Sequence, residues 1–214
     1  MGGFFITFEG GEGSGKTSQI QSLARRIESA LQNVETLVTR EPGGTESAEA
    51  IRDLLVTGRA DKWRPATEAM LMSASRHEHV VHVLRPALAD GKIVLCDRYN
   101  DSTRVYQGFV GGVPEDDIEA LNHLACDGLV PDLTILLDMD VETGLGRASR
   151  RTGGESRFES KGIEFHNKVR QAFLDLAARH EQRFVVVDAS DSEAAVAELV
   201  AEHVLRRLTA AGIG

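Results

Sequence analysis

The run Gly10, Gly11, Glu12, Gly13, Ser14, Gly15, Lys16, Thr17 restricts the possible folds of this chain more than any other feature. It follows the β-prone stretch Phe4 to Phe8. It precedes Thr17 to Gln32, where Ile20, Leu23, Ile27 and Leu31 recur at steps of three or four and make one apolar helical face. Glycine opens backbone conformations closed to other residues, so successive amide hydrogens can converge on an anion. The helix beginning near Lys16 adds the positive end of its dipole at the same spot. In this strand-turn-helix setting the pattern GxxxxGK(S/T) reads as a phosphate loop. Residues 10 to 17 would bind the phosphates of a nucleoside triphosphate, with Lys16 reaching the β and γ groups and the Thr17 hydroxyl ligating Mg2+.

Further strand-like runs occur at Glu35 to Thr39, Ile93 to Asp97, Leu133 to Asp138 and Phe184 to Asp188, with helical segments between them. Near-continuous apolar strands such as "IVLC" and "LTILL" suit a sheet covered on both faces. The expected fold is therefore α/β: a doubly wound, parallel, five-stranded sheet with helices on both faces, of the P-loop NTPase type. The 214 residues fit one domain, 1 to 214, with a core large enough to need no disulfide or structural metal. The 24 Lys plus Arg against 33 Asp plus Glu give a net charge of −9, which does not favour nucleic acid or an anionic membrane as a partner. A phosphate ligand would need a local positive pocket. No secretory signal or long apolar run is visible, and Cys96 and Cys126 lack metal-ligand spacing, so a soluble, cytoplasmic protein with reduced thiols is expected.

A second constellation follows strand "IVLC". Asp97 at the carboxyl end of a parallel strand can hold magnesium directly or through water, and Arg98 beside it can grip phosphate oxygens with two hydrogen bonds. The bland reading is a structural Asp-Arg pair at a strand end. A GTPase would need a guanine-reading NKxD, but Asn167 and Lys168 are followed by Val169 and Arg170. A motor or transporter ATPase stays open on these residues alone. His77, His79 and His82 do not make a zinc motif, since Val81 stands where HExxH requires histidine.

"GGEGSGKT", "TREPGGT" (39 to 45), "AEAIRDLL" (48 to 55), "SASRHEHV" (73 to 80), "DRYNDSTRVYQG" (97 to 108) and "PDLTILLD" (131 to 138) follow one another as in bacterial thymidylate kinases, and the chain resembles that family over nearly its whole length. The resemblance implies phosphoryl transfer from ATP to dTMP, with Mg2+ held at Thr17 and Asp97, and a homodimer. It implies that Arg52 and Arg98 hold the acceptor phosphate and that Glu41 lies near the sugar and phosphate side. Arg76 would hydrogen-bond the thymine ring, Thr103 and Gln107 would contact its polar edge, and Tyr106 would pack on the deoxyribose. Met72 stands where the family usually stacks a phenylalanine on the base, which leaves open another deoxynucleoside monophosphate as acceptor; a nucleotide-binding regulatory module that does not turn over is a separate reading of a different class.

Some thymidylate kinases carry an arginine inside the phosphate loop, where this chain has Gly13. Catalysis of phosphoryl transfer rests on positioning and charge stabilisation, so a cation must then arrive from elsewhere. The stretch 146 to 160, "GRASRRTGGESRFES", resembles the lid of such enzymes. Arg147 and Arg151 match its pattern best, with Arg157 next, and these join Lys16 and Arg98 as the expected catalytic cations. A solvated basic loop is the competing reading.

Overall fold

Among the described residues, five strands form one parallel sheet: β1 (Phe4–Gly10), β2 (Thr36–Arg40), β3 (Ile93–Asp97), β4 (Leu133–Asp138) and β5 (Phe184–Asp188), in the order β2-β3-β1-β4-β5. This computed structural model describes residues 2–150, 156–159 and 161–213. The helices are α1 (Lys16–Ala30), α2 (Glu46–Val56), α3 (Pro65–His79), α4 (Arg85–Ala89), α5 (Asn100–Thr103), α6 (Glu115–Cys126), α7 (Val141–Ala148), α8 (Ser156–Glu159), α9 (Ile163–Arg179) and α10 (Glu193–Ala210). Val80–Leu84 continues α3 as a π-helical turn, and Arg104–Phe109 does the same for α5. The expected α/β architecture is the one observed.

Local chemistry accounts for several boundaries. Gly15, at φ 90°, takes the left-handed conformation that ends the phosphate loop and opens α1. Thr45 caps α2 by accepting from the Ala48 amide at 3.0 Å, and Pro65 sits in the first turn of α3, where its missing N–H is harmless.

The period of two along β1 sends Phe4, Ile6 and Phe8 to one face of the sheet and Phe5, Thr7 and Glu9 to the other. The first set packs with Ile20, Leu23 and Ile27 of α1 and with Val196, Val200, Val204 and Leu208 of α10. Phe5 packs with Val94, Cys96 and Tyr99 and with Val80 and Leu84. Each fully buried side chain of this size stabilises the fold by about 1.5–3 kcal/mol. Cys96 is one of these fillers, its thiol pushed well up by burial.

The chain steps outward from β1 to β2, returns to β3 beside β1, then crosses to β4 on the other side. A crevice opens at the carboxyl edge where the strand order reverses. Phe8 pairs with Asp97 in the β1/β3 register, so the phosphate loop and the Asp97–Arg98 turn leave the sheet side by side.

Candidate active site

A cavity of about 720 Å³ lies at this edge. Its wall runs from the phosphate loop past Asp97 and Arg98 to Met72, Arg76 and Gln107. At the loop end, Lys16 donates to the carbonyls of Gly10 (3.2 Å) and Gly11 (3.0 Å), and Ser14 Oγ donates to Gly11 O at 3.0 Å. These bonds fold the lysine back over its own loop. Burial, then the Arg98 charge, lowers the Lys16 pKa. The carboxylates of Asp97, Glu12 and Glu9 pull the other way but do not outweigh them. Thr17 Oγ1 donates to Asp97 Oδ2 at 3.0 Å, so the two residues expected at a metal stand together.

Gly13 explains why this loop carries no arginine. Its φ is 71°, and a Cβ built there would lie 1.9 Å from the carbonyl oxygen of Gly144 in α7. A Cβ on Gly144 would in turn meet Glu12 O at 2.5 Å. Backbone touches backbone, and neither position admits a side chain.

Arg98 is itself left-handed, with φ 71°, unusual for a residue with a side chain. Three contacts hold its guanidinium: Glu12 Oε1 at 3.0 Å, Ser102 Oγ at 3.1 Å, and the face of Tyr106 with its centroid 5.2 Å away. Beneath it lies Glu9, fully buried, which accepts from the amides of Tyr99 (2.9 Å) and Ser102 (3.2 Å) and from Ser102 Oγ (2.6 Å), with Arg98 Nη1 3.9 Å away. Burial pushes the Glu9 carboxyl up to about 7 even against Arg98. Burial also pushes Glu12 up, but there the charges of Arg98 and Lys16 outweigh it and hold the carboxyl below its ordinary range. Arg52 reaches the same region through the Pro42 carbonyl, its pKa lowered by burial and by neighbouring Arg40.

At the far end Arg76, 2% exposed, donates to Glu41 Oε2 at 2.7 Å, Thr103 Oγ1 at 3.1 Å and Tyr99 O at 3.0 Å. Glu41 also bonds His79 Nδ1 at 3.0 Å, and His79 Nε2 meets Thr39 Oγ1 at 2.7 Å. Glu41 thus lines the cavity and fixes Arg76. His79 belongs to this network, and the described residues contain no cluster suited to zinc. Met72 is half-buried on the cavity wall, packed in a cluster with Tyr106 and Phe158.

The expected lid arginines have different surroundings. Arg147 lies on α7 and donates to Ala189 O at 3.3 Å. Arg151 lies outside the described residues, as do positions 152 to 155. Arg157 is not placed with the loop cations: it is buried, ion-paired to Glu68, and donates to the carbonyls of Leu55 (3.0 Å) and Arg59 (3.1 Å). A guanidinium without water needs such a full set of acceptors, and the end of α2 with its following loop supplies them. Three site residues were not anticipated. Glu9 is a lone carboxylate inside an apolar strand, Glu68 shares the helical face of Met72 and Arg76 at steps of four, and Phe158 stands edge-on to Tyr106 at 5.9 Å. The first two patterns are visible in the sequence; the third is a tertiary contact.

A parallel sheet with this loop between its first strand and α1, and a cation-lined crevice at its switch point, defines a protein of the P-loop NTPase fold. The family model described as "Thymidylate kinase" matches residues 8–200. The chain is 52% identical over 206 residues to the thymidylate kinase of Caulobacter vibrioides, covering 96% of this chain and 98% of the relative. It is 51% identical over 209 residues to that of Trichlorobacter lovleyi, covering 95% and 98%. The crystal structure of thymidylate kinase from Ehrlichia chaffeensis matches with a TM-score of 0.78 at 32% identity, over 95% of this chain and 100% of that one. The chain belongs to the thymidylate kinase family.

Proposed function

We propose that the protein transfers the γ-phosphoryl group of ATP to dTMP, giving ADP and dTDP for dTTP biosynthesis. The observation that carries this reading is the single cavity wall joining a phosphate loop at one end to the Arg76–Thr103–Gln107 group at the other, with Arg98 between them. ATP phosphates lie in the loop of Gly10 to Thr17, with Lys16 at the transferring group. Arg98 and Arg52 hold the acceptor phosphate, Tyr106 backs the sugar, and Met72, Arg76, Thr103 and Gln107 receive the base. The attacking oxygen is already ionised, so these residues align two polyanions and neutralise their charge without a strong base.

Thr17 Oγ1 and Asp97 Oδ2, two hard oxygens 3.0 Å apart, fit Mg2+, which takes one or two protein oxygens beside phosphates and water. Held by Thr17 and Asp97, the ion would supply positive charge to neutralise the phosphates. The chain works as one domain with a lid at 146 to 160, in which Arg147 and Arg151 are the arginines supplied to the reaction. It pairs as a homodimer, for which the exposed Leu54, Met70 and Leu124 on the adjoining α2, α3 and α6 supply apolar surface. Among the described residues no helix is long and apolar enough to cross a membrane, consistent with a cytoplasmic site of action.

Coupled ADP-release assays with dTMP, dUMP, dCMP, dGMP and dAMP test the assignment. Preference for dTMP is expected. A different preferred monophosphate transfers the reading to another acceptor, as Met72 would allow, and ATP binding without any product defeats it. Arg98→Ala and Lys16→Ala are each expected to lower kcat by about 100-fold or more, as removal of a transition-state charge contact does. Near-normal turnover of Arg98→Ala rejects its role.

A further inference from the structure

Glu68 touches neither phosphate grip. It lies on α3, 4% exposed, one turn before Met72 and two before Arg76, and stands behind the cavity wall rather than in it. Its Oε2 accepts from Gln107 Nε2 at 3.1 Å, and its Oε1 accepts from Arg157 Nη2. Gln107 belongs to the wall.

A side-chain amide has one end that donates and one that accepts, while a carboxylate only accepts. Glu68 therefore dictates the sense of the Gln107 amide. The NH2 group turns to the carboxylate, and the carbonyl Oε1 is the end offered to the cavity. The rest of this wall is rich in donors. Arg76 carries guanidinium N–H groups, and the Thr103 hydroxyl, which accepts from Arg76, keeps its own O–H to give. The base edge that fits pairs a ring N–H with a neighbouring carbonyl.

We propose that Glu68 is the positioning residue that sets the hydrogen-bond polarity of the base pocket, holding Gln107 as an acceptor so that the pocket takes a pyrimidine whose N3 carries a proton and rejects one whose N3 is a lone pair. Thymine and uracil meet this requirement; cytosine does not. The inference deepens the reading of this cavity as the acceptor-nucleotide site and rests on it. The counter-charge from Arg157 keeps Glu68 in place, so Arg157 braces the base pocket through the same group.

The decisive comparison is dTMP against 5-methyl-dCMP, which differ only on the edge that Gln107 would read. In Glu68→Gln, residue 68 can either donate or accept, and Gln107 is free to turn over. The kcat/KM ratio of the two acceptors is expected to fall by about tenfold or more, chiefly through acceptor KM, as a site loses a hydrogen bond that discriminates. A general loss of activity from the altered Arg157 contact would slow both acceptors alike and cancel in the ratio. In a Gln107→Ala background the same substitution should leave the ratio unchanged. A Glu68→Gln ratio within about twofold of the parent, or an equal fall in the Gln107→Ala background, overturns the proposal. Should Glu68→Gln not fold, Glu68→Asp keeps the charge but withdraws it from Gln107 by one methylene; an unchanged ratio there overturns the proposal as well. A wild-type protein that turns over neither nucleotide defeats the acceptor-site reading itself, a result distinct from loss of the Glu68 effect alone.

Discussion

Glu9 shows how much a single side chain can hold in this site. It occupies a position that β-strand alternation sends to the face shared with Phe5 and Thr7, and it gathers two amides and a hydroxyl from the turn that keeps Arg98 left-handed. Its pKa rises from 4.5 to about 7 because burial disfavours the charged form. Between those values the folded state binds more protons than the unfolded state, so this contribution to stability is complete below about 4.5 and is lost as pH rises through about 7. The loss amounts to roughly 3 kcal/mol at most, at about 1.4 kcal/mol per pKa unit. Urea unfolding of wild type and Glu9→Gln at pH 5 and 8 checks it: the variant should gain on wild type at the higher pH. A parallel pH dependence in both proteins would contradict the assignment. Met72→Phe acts on the opposite wall and is expected to change mainly the KM for dTMP. A change confined to kcat would remove Met72 from the base site.

At the scale of elements, the contact between the phosphate loop and α7 matters most. Gly13 and Gly144 let two backbones touch, so the helix carrying Arg147 is seated directly on the loop. In Gly144→Ala the new methyl would lie 2.5 Å from the Glu12 carbonyl, and backbone cannot yield as a flexible side chain would. Displacement of α7 should lower kcat/KM for ATP by about 100-fold, the scale of a misplacement near 1 Å. Unchanged ATP kinetics would show that the helix position is immaterial. Elements were also where the sequence was most readable. The bounds Ile93–Asp97, Leu133–Asp138 and Phe184–Asp188 coincide with apolar runs because buried parallel strands need little else. The phosphate loop and the Asp97–Arg98 turn could be read for the same reason: their chemistry is local. Arg157 could not. Within 146 to 160 its guanidinium looks like its neighbours, and only a carboxylate 89 positions away makes it a buried anchor. Nor does any spacing rule bring Glu68 to Gln107, 39 residues apart.

For the molecule as a whole, the core and the site are separable. Leu208 is fully buried between α10 and the sheet, in the cluster shared with α1, on the face opposite Glu9. Leu208→Ala should lower unfolding free energy by about 2–5 kcal/mol while leaving kcat below the melting range unchanged. Denaturant titration beside steady-state rates checks both halves. The same division runs through the crevice. The phosphate loop and Arg98 depart from β1 and β3, adjacent strands whose separation of about 4.8 Å is dictated by peptide hydrogen bonds that all sequences share. That spacing acts as a ruler no point mutation can stretch. Descendants of this protein can therefore exchange one nucleobase for another at the distant wall, while the gap across which phosphorus must travel stays as it is.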